Sequence, residues 1–226
     1  MRHLALLLLG AVWILLPAHA QGLAIAPILV EAPAGGGPAS LTVSSALDHD
    51  VTIQVRVYDW HQEAGEDVLE PASELRFAPE IFTLQSGASQ VVRMAVPDTG
   101  GTGAWRIIID ELPSPAARHQ ADAAQLSIRL RYVLAMFAGA PAGPDQLQAR
   151  LEAGAVELSN PGPGWLRLHN LSLETPTGET LPAGPGIVYL LPGSALSLPP
   201  PAAPQVHQLN YSVGGVPFEA PLRSAR

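Results

Sequence analysis

Apolar residues in this chain almost never recur at helical spacing. They come in short runs that alternate with polar residues and stop at Gly, Pro, Asp or Ser. This pattern constrains the fold most. Side chains at i and i+2 share one face of a strand, and turn residues at regular intervals between such runs read as an all-β sandwich. Candidate strands at 24–30, 39–44, 51–60, 77–84, 89–96, 104–112 and 125–137 fit one immunoglobulin-like unit. A Gly/Pro-rich break, AGAPAGPD at 138–145, follows. A second set at 147–151, 155–159, 164–173, 186–190, 195–198, 205–213 and 216–220 reads as a smaller, more proline-rich sandwich. The expectation is all-β, with two immunoglobulin-like β-sandwich domains over 21–140 and 141–226. Two unequal sandwiches in one chain are expected to form an L-shaped molecule.

Residues 1–20 have the pattern of a cleaved export signal: Arg2, an apolar run from Leu4 to Leu16, and AHA before Gln21. The run falls short of the ~20 residues that span a bilayer, and no later segment is apolar enough, so no membrane insertion is expected. The chain has no cysteine. Its fold therefore rests on packing without disulfides, and thiol chemistry is excluded. All 12 basic residues are arginine against 20 acidic ones, for a net charge of −8. That balance argues against a nucleic-acid partner, which needs a basic footprint.

Residues 78–93, APEIFTLQSGASQVVR, read P-x-x-F-x-L-x-x-G-x-x-Q-x-x-R, strand, turn and strand. In order around them stand LAIAP (23–27), TIQVRVYDW (52–60), AWRIIIDELP (104–113), NPGPGWLRLHNLSL (160–173), LPGS (191–194) and NYSVGGVPF (210–218). Together these resemble the periplasmic pilus (fimbrial) assembly chaperones of the chaperone–usher pathway over nearly the whole chain after the leader. AWRIIIDELP is similar to the Y-R-L-x-L-D-E-L-P of the family's archaic branch. The resemblance implies a non-enzymatic protein of the Gram-negative periplasm. Such a protein binds pilus subunits (pilins), completes their unfinished sheet with one of its own strands, prevents their aggregation and delivers them to an outer-membrane usher. No cofactor and no metal are implied. An exposed donor edge is also expected to permit a self-capping dimer.

The donor strand is placed in 125–137. Leu126, Ile128, Leu130 and Tyr132 alternate there with Ser127, Arg129, Arg131 and Val133. Such a strand can add to a sheet edge through its main chain while alternate side chains fill pockets. The best-known branch of the family holds the subunit's terminal carboxylate with an arginine in the first strand and a lysine in the last strand of domain one. Here those positions fall on Leu29 and near Ala135, and the chain lacks lysine. Arg106 and Arg131 are the carboxylate-anchor candidates, because a guanidinium binds a carboxylate through two parallel bonds. Arg93 is expected in a structural ion pair.

Two rival readings are an adhesin-like binding protein on the same fold and a dimeric aspartic protease using Asp98. The protease needs two aspartates that share a proton, and D-T-G occurs once, in a sequence that reads as a hairpin turn. The histidines do not cluster at metal-ligand spacing. The acidic stretch His61–Asp67 reads as a solvated hairpin loop.

Overall fold

Strand β1 (Leu23–Ala26) and strand β2 (Leu29–Ala32) lie where one strand was expected. Pro27 between them has no N–H to give to a ladder. β1 pairs with β3 (Gly37–Ser45), whereas β2 joins a different sheet. The computed structural model describes residues 22–113, 129–152, 154–201 and 205–224.

The expected strand 77–84 divides in the same way at Pro79. β6 (Arg76–Ala78) pairs with β8 (Ser89–Val96), and β7 (Ile81–Leu84) pairs with β4 (Val51–Glu63). The acidic stretch is not a loop. β4 runs through Glu63, turns at Ala64-Gly65, and returns as β5 (Glu66–Pro71). Both turn residues have positive φ, 50° and 84°, as a two-residue hairpin requires. Every position of this hairpin carries a ladder partner, so its charges sit on an edge strand.

β9 (Gly103–Leu112) and β10 (Arg131–Ala138) complete the first half. Its two sheets run β1-β3-β8-β6 and β2-β10-β9-β4-β5, with β7 also on β4. The core between them is made by alternate side chains, among them Val43, Val51, Ile53, Val55, Val92, Ile107, Ile109 and Met136.

The second half consists of β11 (Gln148–Glu152), β12 (Ala155–Ser159), β13 (Leu166–Glu174), β14 (Thr180–Pro182), β15 (Ile187–Leu190), β16 (Ala195–Ser197), β17 (Gln208–Val213), β18 (Val216–Pro221) and β19 (Arg223–Ser224). They form sheets β16-β12-β11-β19 and β14-β13-β17-β18, with β15 on β13. Leu158, Leu166, Leu168, Leu190 and Leu209 lie in a separate core. Strands β14 and β19 are too short to read as period-two runs in the sequence. β13 carries a bulge between His169 and Ser172, where Asn170 has φ 53°. Asn tolerates that left-handed conformation better than most residues.

The loops of the second half are tied by Asn160, which is fully buried. Its Nδ2 donates to the carbonyls of Gly164 (2.7 Å) and Leu190 (3.0 Å), and its Oδ1 accepts from Gly162 N–H. Gly193 N–H donates to its backbone carbonyl. The N-P-x-P and L-P-G motifs are thus two sides of one hydrogen-bonded joint.

A third cluster joins the halves. β4 buries Val51, Ile53, Val55 and Val57 in the first core. Beyond Asp59 the alternation breaks, and Trp60 is buried on the opposite face. Trp60, Ala135, Phe137, Trp165 and Leu191 pack together. Residues 134–138 of β10 are buried without interruption, because one face meets the first core and the other meets Trp165. At this seam Ala142 N–H donates to Trp165 O at 2.8 Å. A Cβ on Gly164 would lie 2.6 Å from that same Ala142 nitrogen, so the approach needs a glycine. Thr102 Oγ1 donates to Pro163 O (2.8 Å), and Gln62 reaches β15 from β4.

Candidate functional site

β10 is paired along its whole described length with β9, from Arg131↔Asp110 to Ala138↔Gly103. On its other side β2 pairs only with Ala135–Ala138. Among the described residues, the edge from Arg131 to Leu134 has no partner strand. Leu130 O accepts from Glu111 N–H at 3.2 Å. In an antiparallel ladder hydrogen-bonded pairs alternate. Tyr132 and Leu134 therefore turn their main-chain groups toward β9, and Arg131 and Val133 turn theirs toward the open edge. Apolar side chains flank it: Val133 is 51% exposed, Leu130 45%, and Ile28, one step before β2, 62%.

Of the four predicted donor side chains, Leu126 and Ile128 lie outside the described residues. Leu130 is exposed. Tyr132 is half-buried against the chain's own first core, and its hydroxyl donates to Leu23 O at 3.3 Å. The alternation read in the sequence continues inward through Leu134 and Met136, which belong to that core.

The outer face of the same sheet carries the predicted cationic residues. Leu29, Ala135, Arg106 and Tyr58 are successive neighbours across β2, β10, β9 and β4. Leu29 and Ala135, on or near which the sequence resemblance puts the cationic positions of the best-known branch, are adjacent here, and both are apolar. Arg106, one strand over, is the nearest cation in that row. Its guanidinium lies 3.5 Å from the ring centre of Trp60 and 5.3 Å from that of Tyr189, and its Nη2 donates to Asp67 Oδ2 at 2.7 Å. Asp67 Oδ1 accepts from Gln62 Nε2 at 3.0 Å. Gln62 also donates to Tyr189 O (3.0 Å) and accepts from Leu191 N–H (2.9 Å). Burial opposes ionisation of Asp67. Hydrogen bonds from Gln62 and Arg106, with the Arg106 charge, outweigh it and hold its pKa below the ordinary carboxylate value.

Arg131 lies farther out on this face. Its Nε donates to Asp110 Oδ1, and Arg56 Nη2 donates to Asp110 Oδ2, both at 2.5 Å. One carboxylate thus serves two guanidiniums. Asp110 titrates low for reasons parallel to those at Asp67: burial is outweighed by hydrogen bonds from Arg131 and Arg56 and by their charges. Arg131 is the more solvated of the two anchor candidates; Arg106 is largely covered.

The sequence reading passed over Trp60, Gln62, Asp67 and Tyr189. The available signal was the break in alternation at Asp59-Trp60. The ion pair expected for Arg93 is not formed: it is exposed on β8, with no carboxylate within bonding distance among the described residues. Asp98 Oδ1 accepts from Gly100 N–H at 2.9 Å, which closes a turn on the carboxylate. The described residues contain no cluster of His, Cys, Asp or Glu fit to hold a metal.

Residues 22–143 match the profile of the pili and flagellar-assembly chaperones, PapD N-terminal domain. The chain belongs to this family. It is a pilus-assembly chaperone on a two-domain immunoglobulin-like fold. Among solved structures, the chaperone is similar to the CsuC–CsuE chaperone–tip adhesion subunit pre-assembly complex from archaic chaperone–usher Csu pili of Acinetobacter baumannii. The TM-score is 0.65 at 19% identity, over 91% of this chain and 100% of that one. It is similar to the Salmonella enterica SafA pilin in complex with the SafB chaperone, with a TM-score of 0.65, 19% identity, and 90% and 97% covered. The E. coli chaperone DraB gives 0.62 at 21% identity over 89% and 99%. No curated protein matches the sequence.

Proposed function

We propose that the chaperone works in the periplasm, takes up pilus subunits after their export, and completes their sheet with the strand that ends in β10. The observation that carries this reading is the open edge at Arg131–Leu134. The strand there is held firmly by β9 on one side, offers main-chain groups that no described strand pairs on the other, and has exposed apolar side chains beside them. The inner alternation is shared between two cores. From Tyr132 onward it fills the chaperone's own sandwich; Leu130, with Ile128 and Leu126 before it, fills the subunit's groove. Main-chain pairing accepts varied subunit sequences, and alternate side chains set the register.

Two of the similar solved structures are complexes of a chaperone with a subunit, which supports subunits as the partner. One of these comes from an archaic chaperone–usher system, and the D-E-L-P ending of β9 accords with that branch. The loaded chaperone then delivers its subunit to an outer-membrane usher. The same open edge permits self-capping by a second copy of the chaperone. The subunit's terminal carboxylate is held at Arg106, which lies in the same row as Leu29 and Ala135, where the resemblance puts the cations of the best-known branch; Arg131 is the second candidate. No catalytic step is required. Co-expression with a subunit tests the reading: a soluble one-to-one complex is expected, and it is lost when Leu130 and Ile128 are made aspartate.

A further inference from the structure

The Arg106 site already holds a carboxylate, and that carboxylate belongs to the chaperone. Asp67 on the edge strand β5 reaches two strands across the sheet to the guanidinium. The side chains around the pair hold both charges in place. Trp60 and Tyr189 contribute aromatic surface to the guanidinium, and Gln62 supplies an amide donor. One donor is left over: Trp60, whose ring lies against the Arg106 guanidinium, is 4% exposed, and its Nε1 has no hydrogen-bond partner among the described residues. A buried N–H without a partner is costly, and native structures keep few of them. Asp67 therefore satisfies this receptor incompletely.

We infer that Asp67 is an internal stand-in for the client's terminal carboxylate: it occupies Arg106 in the free chaperone and is displaced when the client arrives. This rests on the assignment of Arg106 as the anchor and adds its regulation. An occupied receptor spares the free protein a largely buried, uncompensated cation. Free carboxylates bind more weakly than they otherwise would, because each must compete with a tethered one. A client whose strand is already paired along β10 competes intramolecularly and wins. Release of Asp67 also frees one bond of Gln62, whose other two bonds go to Tyr189 and Leu191 across the domain joint. Anchoring thereby reaches the contact that sets the second domain against the first.

The test uses acetyl-alanyl-tyrosine as the free acid and as its C-terminal amide. Each is titrated into the purified protein while the Trp60 indole N–H, the Arg106 Nε–H and the Gln62 side-chain amide are followed by NMR. The acid is expected to move all three signals and the amide none. In Asp67→Asn the acid binds roughly tenfold more tightly, as expected when one charged competitor is removed, and amide binding is unchanged. Arg106→Leu abolishes the distinction between acid and amide. Thermal midpoints establish that both variants are folded, and the wild-type comparison needs no variant. If Arg106→Leu keeps the distinction, or if the acid moves no signal in any protein, Arg106 is not the anchor. If Arg106→Leu abolishes it but Asp67→Asn binds no tighter, the anchor stands and Asp67 is only a structural ion pair, which overturns the proposal.

Discussion

Phe137 on β10 and Trp165, the residue just before β13, stack face to face, with ring centres 4.2 Å apart and planes 8° from parallel. Phe137 is also tilted against Trp60 and Tyr189 at 5.6–5.7 Å from their neighbouring rings. The strand assigned to subunit binding is therefore pinned at its far end by the second domain. Burying a side chain of this size contributes ~1.5–3 kcal/mol, and an aromatic pair adds ~0.5–1.5 kcal/mol. Phe137→Ala is expected to cost about 3–5 kcal/mol and to loosen the joint between domains. Denaturant unfolding measures the cost, and small-angle scattering measures the joint.

The two kinds of position on β10 should respond oppositely to proline. Val133 points its N–H to the open edge, so Val133→Pro removes no bond to β9 and leaves the fold intact while weakening subunit capture. Leu134 points its N–H to β9, and Leu134→Pro should disrupt the sheet. Circular dichroism and a subunit pull-down separate the two. Equal folding defects in both variants would contradict the assigned register.

Asn160→Ala should destabilise the second domain by roughly 2–4 kcal/mol, because it removes the Nδ2 bonds to the Gly164 and Leu190 carbonyls and the Oδ1 acceptor of Gly162 N–H. Its effect on subunit capture should follow from lost folding alone. The check is urea unfolding followed by tryptophan fluorescence, which Trp165 reports.

Asp67 and Asp110 give the chaperone an acid limit. An unfolded aspartate titrates near ~3.9, and both groups titrate lower in the fold. Their ionised forms therefore stabilise the folded chain fully above the unfolded value, and this contribution is lost as pH falls from about 4 through the folded values. Asp110→Asn should lower stability at pH 7 and flatten its pH dependence below about 4. Thermal midpoints measured from pH 7 to pH 2 test this.

Much of the fold was legible because turn residues and period-two runs act locally. The two expected strands that split did so at Pro27 and Pro79, where a missing N–H hands the chain from one sheet to the other. Strand β5 was hidden because Glu66, Asp67 and Glu70 look solvated, and an edge strand keeps them so. The open edge at Arg131–Leu134 was half legible. The alternation from Leu126 was visible, but where the chain's own core takes it over, at Tyr132, depends on the opposing sheet. The partners of Arg106 were not legible at all: Asp67, Trp60 and Tyr189 come from distant segments brought together by the fold of β4 and by the second domain. Arg131 and Asp110 sit opposite each other in the β9–β10 ladder, and the register that pairs them is a tertiary property.

The central claim is that the strand leading into β10 completes a subunit's sheet. The most direct measurement is periplasmic co-expression of the chaperone with pilin-like subunits from the same genome, followed by purification of the complex. Wild type is compared with Ile128→Asp/Leu130→Asp, both shown to be folded by thermal unfolding. Wild type is expected to give a soluble one-to-one complex and the variant none. A variant that is folded and binds the subunit as well as wild type would contradict the claim.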